Sequence, residues 1–183
     1  RVVCTNKASR RGVVTTDAVR FGGGMGNIER GGYTSGLPRC LEGARYYAQW
    51  AGAPYKVYGG RKGENDYADD INTRSLMTNW LGGGSVYMPA KNGKHVPIEL
   101  SLALHSDAGY NKDGKSTVGA LAICTTDYND GILNSGISRF TSKDFARALR
   151  DNLVTDLTAQ FGEFGKRYLW DRNYSETRLP EVP

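Results

Sequence analysis

The sequence is poor in residue types that carry easily recognised chemistry. It has only two histidines and no HExxH, so a zinc-protease helix is absent. Its three cysteines, Cys4, Cys40 and Cys124, lie far apart with no CxxC, which argues against a thiolate zinc site. An odd count leaves at least one thiol outside any intramolecular disulfide, and small buried hydrophobes are the expected role. No apolar run approaches the roughly 18 residues of a membrane span. The longest, at residues 102–104 and 118–124, are strand-sized. Charge of one sign is not concentrated either. Twenty-four Lys/Arg against nineteen Asp/Glu give +5, but only Arg10-Arg11, near Lys7, sit together. The clustered basic stripe of a nucleic-acid groove is missing. The glycine run at residues 22–24 lacks the Lys-Ser/Thr of a phosphate loop, and no helix opens at its end.

What is present is enough for a core. Hydrophobic residues make up 39% of 183 positions and charged residues 23%, which excludes a fully disordered chain and sets the size of one ordinary domain, alone or with a fragment of another. The chain opens at Arg1 without Met or a signal peptide and closes on Leu-Pro-Glu-Val-Pro, which reads like the approach to a strand. A processed or trimmed piece of something longer is therefore expected.

Residues 1–21 alternate like β structure, with Val13, Val14, Val19 and Phe21 as apolar members of a second short strand. The glycines that follow mark a boundary, so residues 1–24 read as the last strands of a β-sandwich module and residues 25–183 as a separate α/β domain. A helix is expected from Thr34-Ser35 and Pro38 to Gly52, carrying Leu41, Ala44 and Ala48. Residues 55–58 read as a strand and 69–81 as an amphipathic helix. Residues 96–105 read as a central parallel strand buried on both faces, with Ile98, Leu100, Leu102 and Leu104 along one side. A strand at 118–125, a helix opened by the capping box Thr141-Ser142-Lys143-Asp144, and a strand at 167–171 complete the series. This order predicts a mostly parallel sheet with helices on both faces.

His105 is expected at the carboxyl end of a buried strand, the edge where open α/β sheets place their sites. That position suits a functional residue or a structurally satisfied histidine. His95, in Lys91-Asn92-Gly93-Lys94-His95, reads as a solvated loop residue. Glu42 is expected one turn inside the first helix, beside its buried face. There it is either a first-turn carboxylate favoured by the helix dipole or a partly buried group in need of a cation. One His and one Glu can be two ligands of a catalytic zinc, which ordinarily has three protein ligands and an open water position. The residues alone offer no third.

Several motifs occur in the order found in one enzyme family. Glu42 opens a helix ending in Ala-Gly, Ile71-Asn72-Thr73-Arg74 is similar to a Leu-x-x-Arg helix, and Leu102-Ala103-Leu104-His105-Ser106-Asp107-Ala108 is similar to a Ser-Ile-His-Ala-Asp-Ala strand end. Residues 171–173 and 179–183 resemble the stretch before that family's catalytic-Glu strand. On these motifs residues 36–183 resemble the zinc-dependent N-acetylmuramoyl-L-alanine amidases, which cleave the stem peptide of peptidoglycan from muramic acid. Residues 16–24 resemble the end of a golvesin-type β domain, a combination associated with secreted Bacteroidota proteins labelled xanthan lyase or amidase. The resemblance implies zinc as cofactor, with Glu42 and His105 as metal ligands. Asp107 would orient ligands or bind substrate, unless it only forms the turn, and Arg74 would either share that role or pair a carboxylate near the sheet. It also implies a secreted, periplasmic or cell-surface setting with peptidoglycan or another glycan as partner. The family's first zinc His would precede Arg1 and its general-base Glu would follow Pro183, so that residues 1–183 would hold two of three zinc ligands. Glu176 and Glu181 fall short of the general base's expected position. Two competing readings are a polysaccharide lyase, for which eleven tyrosines supply candidate bases, and a non-enzymatic glycan-binding module with Tyr46, Tyr47, Trp50 and Trp80 as stacking platforms.

Overall fold

The computed structural model of the chain describes residues 36–37, 39–62, 64–105, 109 and 111–183. The expected β hairpins of residues 1–24, Cys4 and Asp107 lie outside them.

A 3-10 turn, Arg39–Leu41, leads into helix α1, Ala44–Trp50. α2, Tyr55–Tyr58, is a single helical turn, and α3 runs Asp66–Gly82. Strand β1, Ala120–Cys124, is followed by the long helix α4, Phe140–Phe161, then by strand β2, Lys166–Asp171, and the short helix α5, Ser175–Arg178. β1 and β2 pair in parallel, with Ala122 opposite Leu169 and Cys124 opposite Asp171. The fold is thus mixed α/β around a two-stranded parallel sheet. The strands meet where glycine is required. Gly119 has φ +95°, and a Cβ there would collide with the carbonyl of Gly165, which accepts the Ala120 N–H at 2.9 Å.

α4 packs on both strands. Its inner positions include Ala146 and the buried Arg150, whose guanidinium donates to the Arg167 carbonyl of β2 at 3.1 Å. A second cluster lies among α1, α2 and α3, where Ala48, Ala53 and Val57 are buried against Leu76, Met77 and Trp80. Full burial of a side chain such as Val57 stabilises by about 1.5–3 kcal/mol. The two parts are joined at α5. Asn79 of α3 donates to the Leu179 carbonyl at 2.8 Å and accepts the Glu181 N–H at 3.0 Å. From the other side, the Thr125 hydroxyl, just past β1, reaches the Arg172 carbonyl and the Thr177 hydroxyl. Arg139 is 1% exposed and donates to the carbonyls of Thr177, Arg178 and Pro180.

Several expectations hold. α3 starts three residues before the expected point because Asn65 accepts the Ala68 N–H as its cap, and it stops at the expected glycines. β1, α4 and β2 occur where the patterns place them, and Cys40 and Cys124 are both buried. Others are corrected. Residues 55–58 form a helical turn, not a strand, because Pro54 accepts the Val57 N–H and Tyr55 the Gly59 N–H. Four residues with two apolar positions satisfy either period. The capping box at 141–144 does not form. α4 begins two residues earlier, with Arg139 as cap residue and the Ser138 hydroxyl accepting the Phe140 N–H. The first helix begins at Ala44, not near Pro38, because Gly43 is extended and breaks the run. Residues 96–105 form no strand and are not buried on both faces. Leu100, Leu102 and Leu104 are 50%, 61% and 87% exposed. The alternation selects a face, but a strand also needs a ladder partner. Among the described residues the backbone of 99–105 is met only once, where the Ser101 N–H donates to Pro183.

Candidate functional site

The first turn of α1 is built from charge, not from the apolar stripe the sequence suggested. Asp66, Asp69 and Asp70 lie on one side of the α3 start, at spacings of three and four that share a helix face. Arg45 answers them. Its guanidinium sits 2.7 Å from Asp66 and 3.6 Å from Asp69. The Tyr46 hydroxyl donates to Asp66 at 2.7 Å, and the Arg61 N–H donates to Asp69 at 2.6 Å. Asp69 and Asp70 are almost fully buried. Carboxylates survive there because each meets cations and N–H donors that replace water.

Asp70 has a distinct task. Its Oδ1 accepts the backbone N–H of Arg45 at 3.0 Å. Gly43, the cap residue of α1, has no side chain to satisfy the open N–H groups of the first turn, so a carboxylate from α3 caps the helix from outside. Asp70 also pairs with Arg74 one turn on, at 3.2 Å. Glycine at 43 is what lets the carboxylate in. A Cβ there would stand 2.9 Å from Asp70 Oδ1 and 3.0 Å from the Tyr46 ring.

Glu42 sits immediately before this cap, in the turn and not one turn inside the helix, which corrects the expected placement. Its side chain is exposed and makes no hydrogen bond or ion pair among the described residues. His105 is exposed at the far end of the 96–105 run, which leaves the end of α3 where Val96 donates to Leu81. No hydrogen bond or ion pair joins the two. Arg74 pairs the carboxylate of Asp70, in keeping with the structural alternative for it. His95 is exposed, as expected, yet it is also docked. Its Nδ1 lies 3.0 Å from the Gly84 carbonyl and its backbone has φ +62°.

As a donor set, an exposed carboxylate and an exposed imidazole suit zinc, which takes oxygen and nitrogen ligands at about 2.0–2.2 Å. Among the described residues no group of three or more His, Cys, Asp or Glu converges on one point. Each of the two late glutamates has a partner. Glu181 pairs with Lys91 at 2.9 Å, and Glu176 accepts the Ser175 hydroxyl at 3.0 Å.

At the carboxyl ends of the strands the ionisable groups are also committed. Partial burial opposes ionisation of Asp171, but the Thr126 hydroxyl and N–H and the Lys143 ammonium outweigh it and hold its carboxyl below the usual carboxylate range. Burial, with Asp171 adding to it, pushes the Cys124 thiol up, so it is not a ready nucleophile.

The residues missed in the sequence were Asp70 and its neighbours. The signal was available. Asp66-Tyr67-Ala68-Asp69-Asp70 places three carboxylates on one face, and Arg45-Tyr46 is a matching donor pair. An apolar stripe alone does not register them.

No protein-family model, curated protein or solved structure matches the chain. No described helix is long and apolar enough to cross a membrane.

Proposed function

We propose that the chain carries part of a zinc-dependent hydrolase of the N-acetylmuramoyl-L-alanine amidase kind, with Glu42 and His105 as metal ligands and a peptidoglycan amide as substrate. The observation that carries the reading is Glu42, an exposed carboxylate without a partner among the described residues, placed on a turn whose next residues are fastened to α3. The reading includes a mostly parallel sheet with helices on both faces, of which β1 and β2 are two strands. Parallel pairs occur almost only with both faces covered, and α4 covers one.

Bound zinc would polarise an amide carbonyl and lower the pKa of a coordinated water toward roughly 7. The part of this chain is to hold an anionic oxygen at Glu42 and an imidazole nitrogen at His105 in reach of that ion. Asp107 would steady the His105 side as an outer hydrogen-bond partner. A secreted or cell-surface setting follows from the substrate. The test is release of stem peptide from purified peptidoglycan by the full-length protein. Chelator should abolish it, and His105→Ala should too. Activity that survives both would rule out the amidase reading.

One observation favours the glycan-binding reading as an alternative. Tyr47 and Trp50 are exposed and stack edge to face at 5.0 Å, whereas Tyr46 is buried and Trp80 packs in the helical cluster under Lys94. Exposed aromatic faces are the surfaces on which sugar rings stack. Glycan retention lost in Trp50→Ala with zinc content unchanged would favour it.

A further inference from the structure

We infer that Asp70 is a positioning residue for Glu42, an inference that rests on the zinc reading above. Three contacts make the case. Asp70 Oδ1 takes the Arg45 N–H at 3.0 Å, so it fixes the start of α1 three positions after Glu42. Its Oδ2 is held by Arg74 at 3.2 Å, which stops the carboxylate from rotating away. Its Oδ1 fills the space beside Gly43, the residue that follows Glu42. The carboxylate is only 3% exposed, so the cap is not shared with solvent.

The arrangement separates two jobs that one helix start could have combined. A carboxylate at the cap position would satisfy the first-turn N–H groups with its own oxygens and be tied down by them. Here glycine holds the cap position, Asp70 does the capping from α3, and Glu42 is left with both oxygens unengaged by the described residues. The local backbone is rigid while the exposed carboxylate remains available to a cation. Arg45 and Tyr46 extend the clamp through Asp66, so the turn is held on its helical side by two independent carboxylates.

A residue that acts through Glu42 must lose its influence once Glu42 can no longer bind metal. The experiment is zinc affinity of the full-length protein, measured by competition with a chelating dye, for wild type, Glu42→Gln, Asp70→Ala and the double variant. Outer partners of metal ligands typically change affinity about 10–100-fold. Asp70→Ala should weaken zinc about 10-fold in the wild-type background and less than about 2-fold in the Glu42→Gln background. Asp70→Asn keeps an oxygen for the Arg45 N–H and should recover much of the loss. Gly43→Ala, whose Cβ would crowd Asp70 and Tyr46, should reproduce it without altering any polar group. These two variants carry the test if Asp70→Ala does not fold. Equal losses in both backgrounds, or no loss in any folded variant, would overturn the positioning role. If Glu42→Gln itself leaves zinc affinity unchanged, the zinc reading fails at its source and the positioning role falls with it, a result readily told apart from additivity.

Discussion

Replacing Arg139 should loosen the corner that joins the two halves of the fold. The side chain is 1% exposed and lies 5.2 Å over the Tyr128 ring. It donates to Arg178 at 3.0 Å, to Thr177 at 3.3 Å and to Pro180 at 3.5 Å. The first distance is a sound charged hydrogen bond, the second weaker, and the third at the limit. A bond to a charged donor is worth about 1.5–3 kcal/mol, so the set contributes about 3–4 kcal/mol before costs. The cost is desolvation. Burial pushes the guanidinium below its ordinary value, Glu181 and Tyr128 push back, and its Nε is buried with no hydrogen-bond partner. That offsets about 1 kcal/mol or more. Arg139→Met, which keeps the aliphatic stem but drops the donors, should therefore destabilise by about 2 kcal/mol. For a chain of this size that lowers Tm by about 4–8 °C. Arg139→Ala, which also leaves a void beside Tyr128, should cost about 1–2 kcal/mol more. Urea unfolding followed by far-UV circular dichroism reads both. An Arg139→Met variant as stable as wild type would show that desolvation cancels the hydrogen bonds and that the corner is held by α3 and Thr125 instead.

Two further outcomes follow from the same contacts. Asp171 is held below the usual carboxylate range, so its ionised form stabilises the fold above an unfolded pKa of about 4 and that contribution is lost as pH falls through the lower folded value. Asp171→Asn should thus lower Tm at pH 7, where the ionised form contributes, and the difference from wild type should shrink as pH falls below about 4; a difference that stays constant with pH would contradict it. His95→Ala should leave zinc affinity unchanged and lower Tm by only a few degrees, since the ring is exposed and makes one contact to Gly84; a lost zinc signal would make His95 a ligand.

Legibility in the sequence followed the kind of signal. The long helix and the strand at 120–124 were readable because period and length agree, although of the stripe Phe145, Ala148, Leu149, Leu153, Leu157 and Phe161 the residues Ala148, Leu153 and Phe161 are exposed. Residues 55–58 were not, since a single turn of helix and a short strand share the same apolar count. Residues 96–105 show a different failure. Alternation there is strong, yet exposure of Leu104 depends on which neighbours lie alongside, and a local pattern carries no such information. The start of α1 depends on a carboxylate 25 positions from the N–H it caps, which no capping motif read along the chain could reveal. Glu42 stands out in the sequence through family resemblance and by lying beside an apolar face. Its freedom from local partners is a structural finding.

In the proposed site Glu42 and His105 are two ligands of one zinc ion. Zinc per chain, measured by elemental analysis on the full-length protein after exhaustive dialysis, tests it most directly. About one zinc is expected in the wild type, almost none in His105→Ala, and a large loss in Glu42→Gln, because an amide is a poor neutral replacement for an anionic ligand. Full zinc content retained in the folded His105→Ala variant would contradict it.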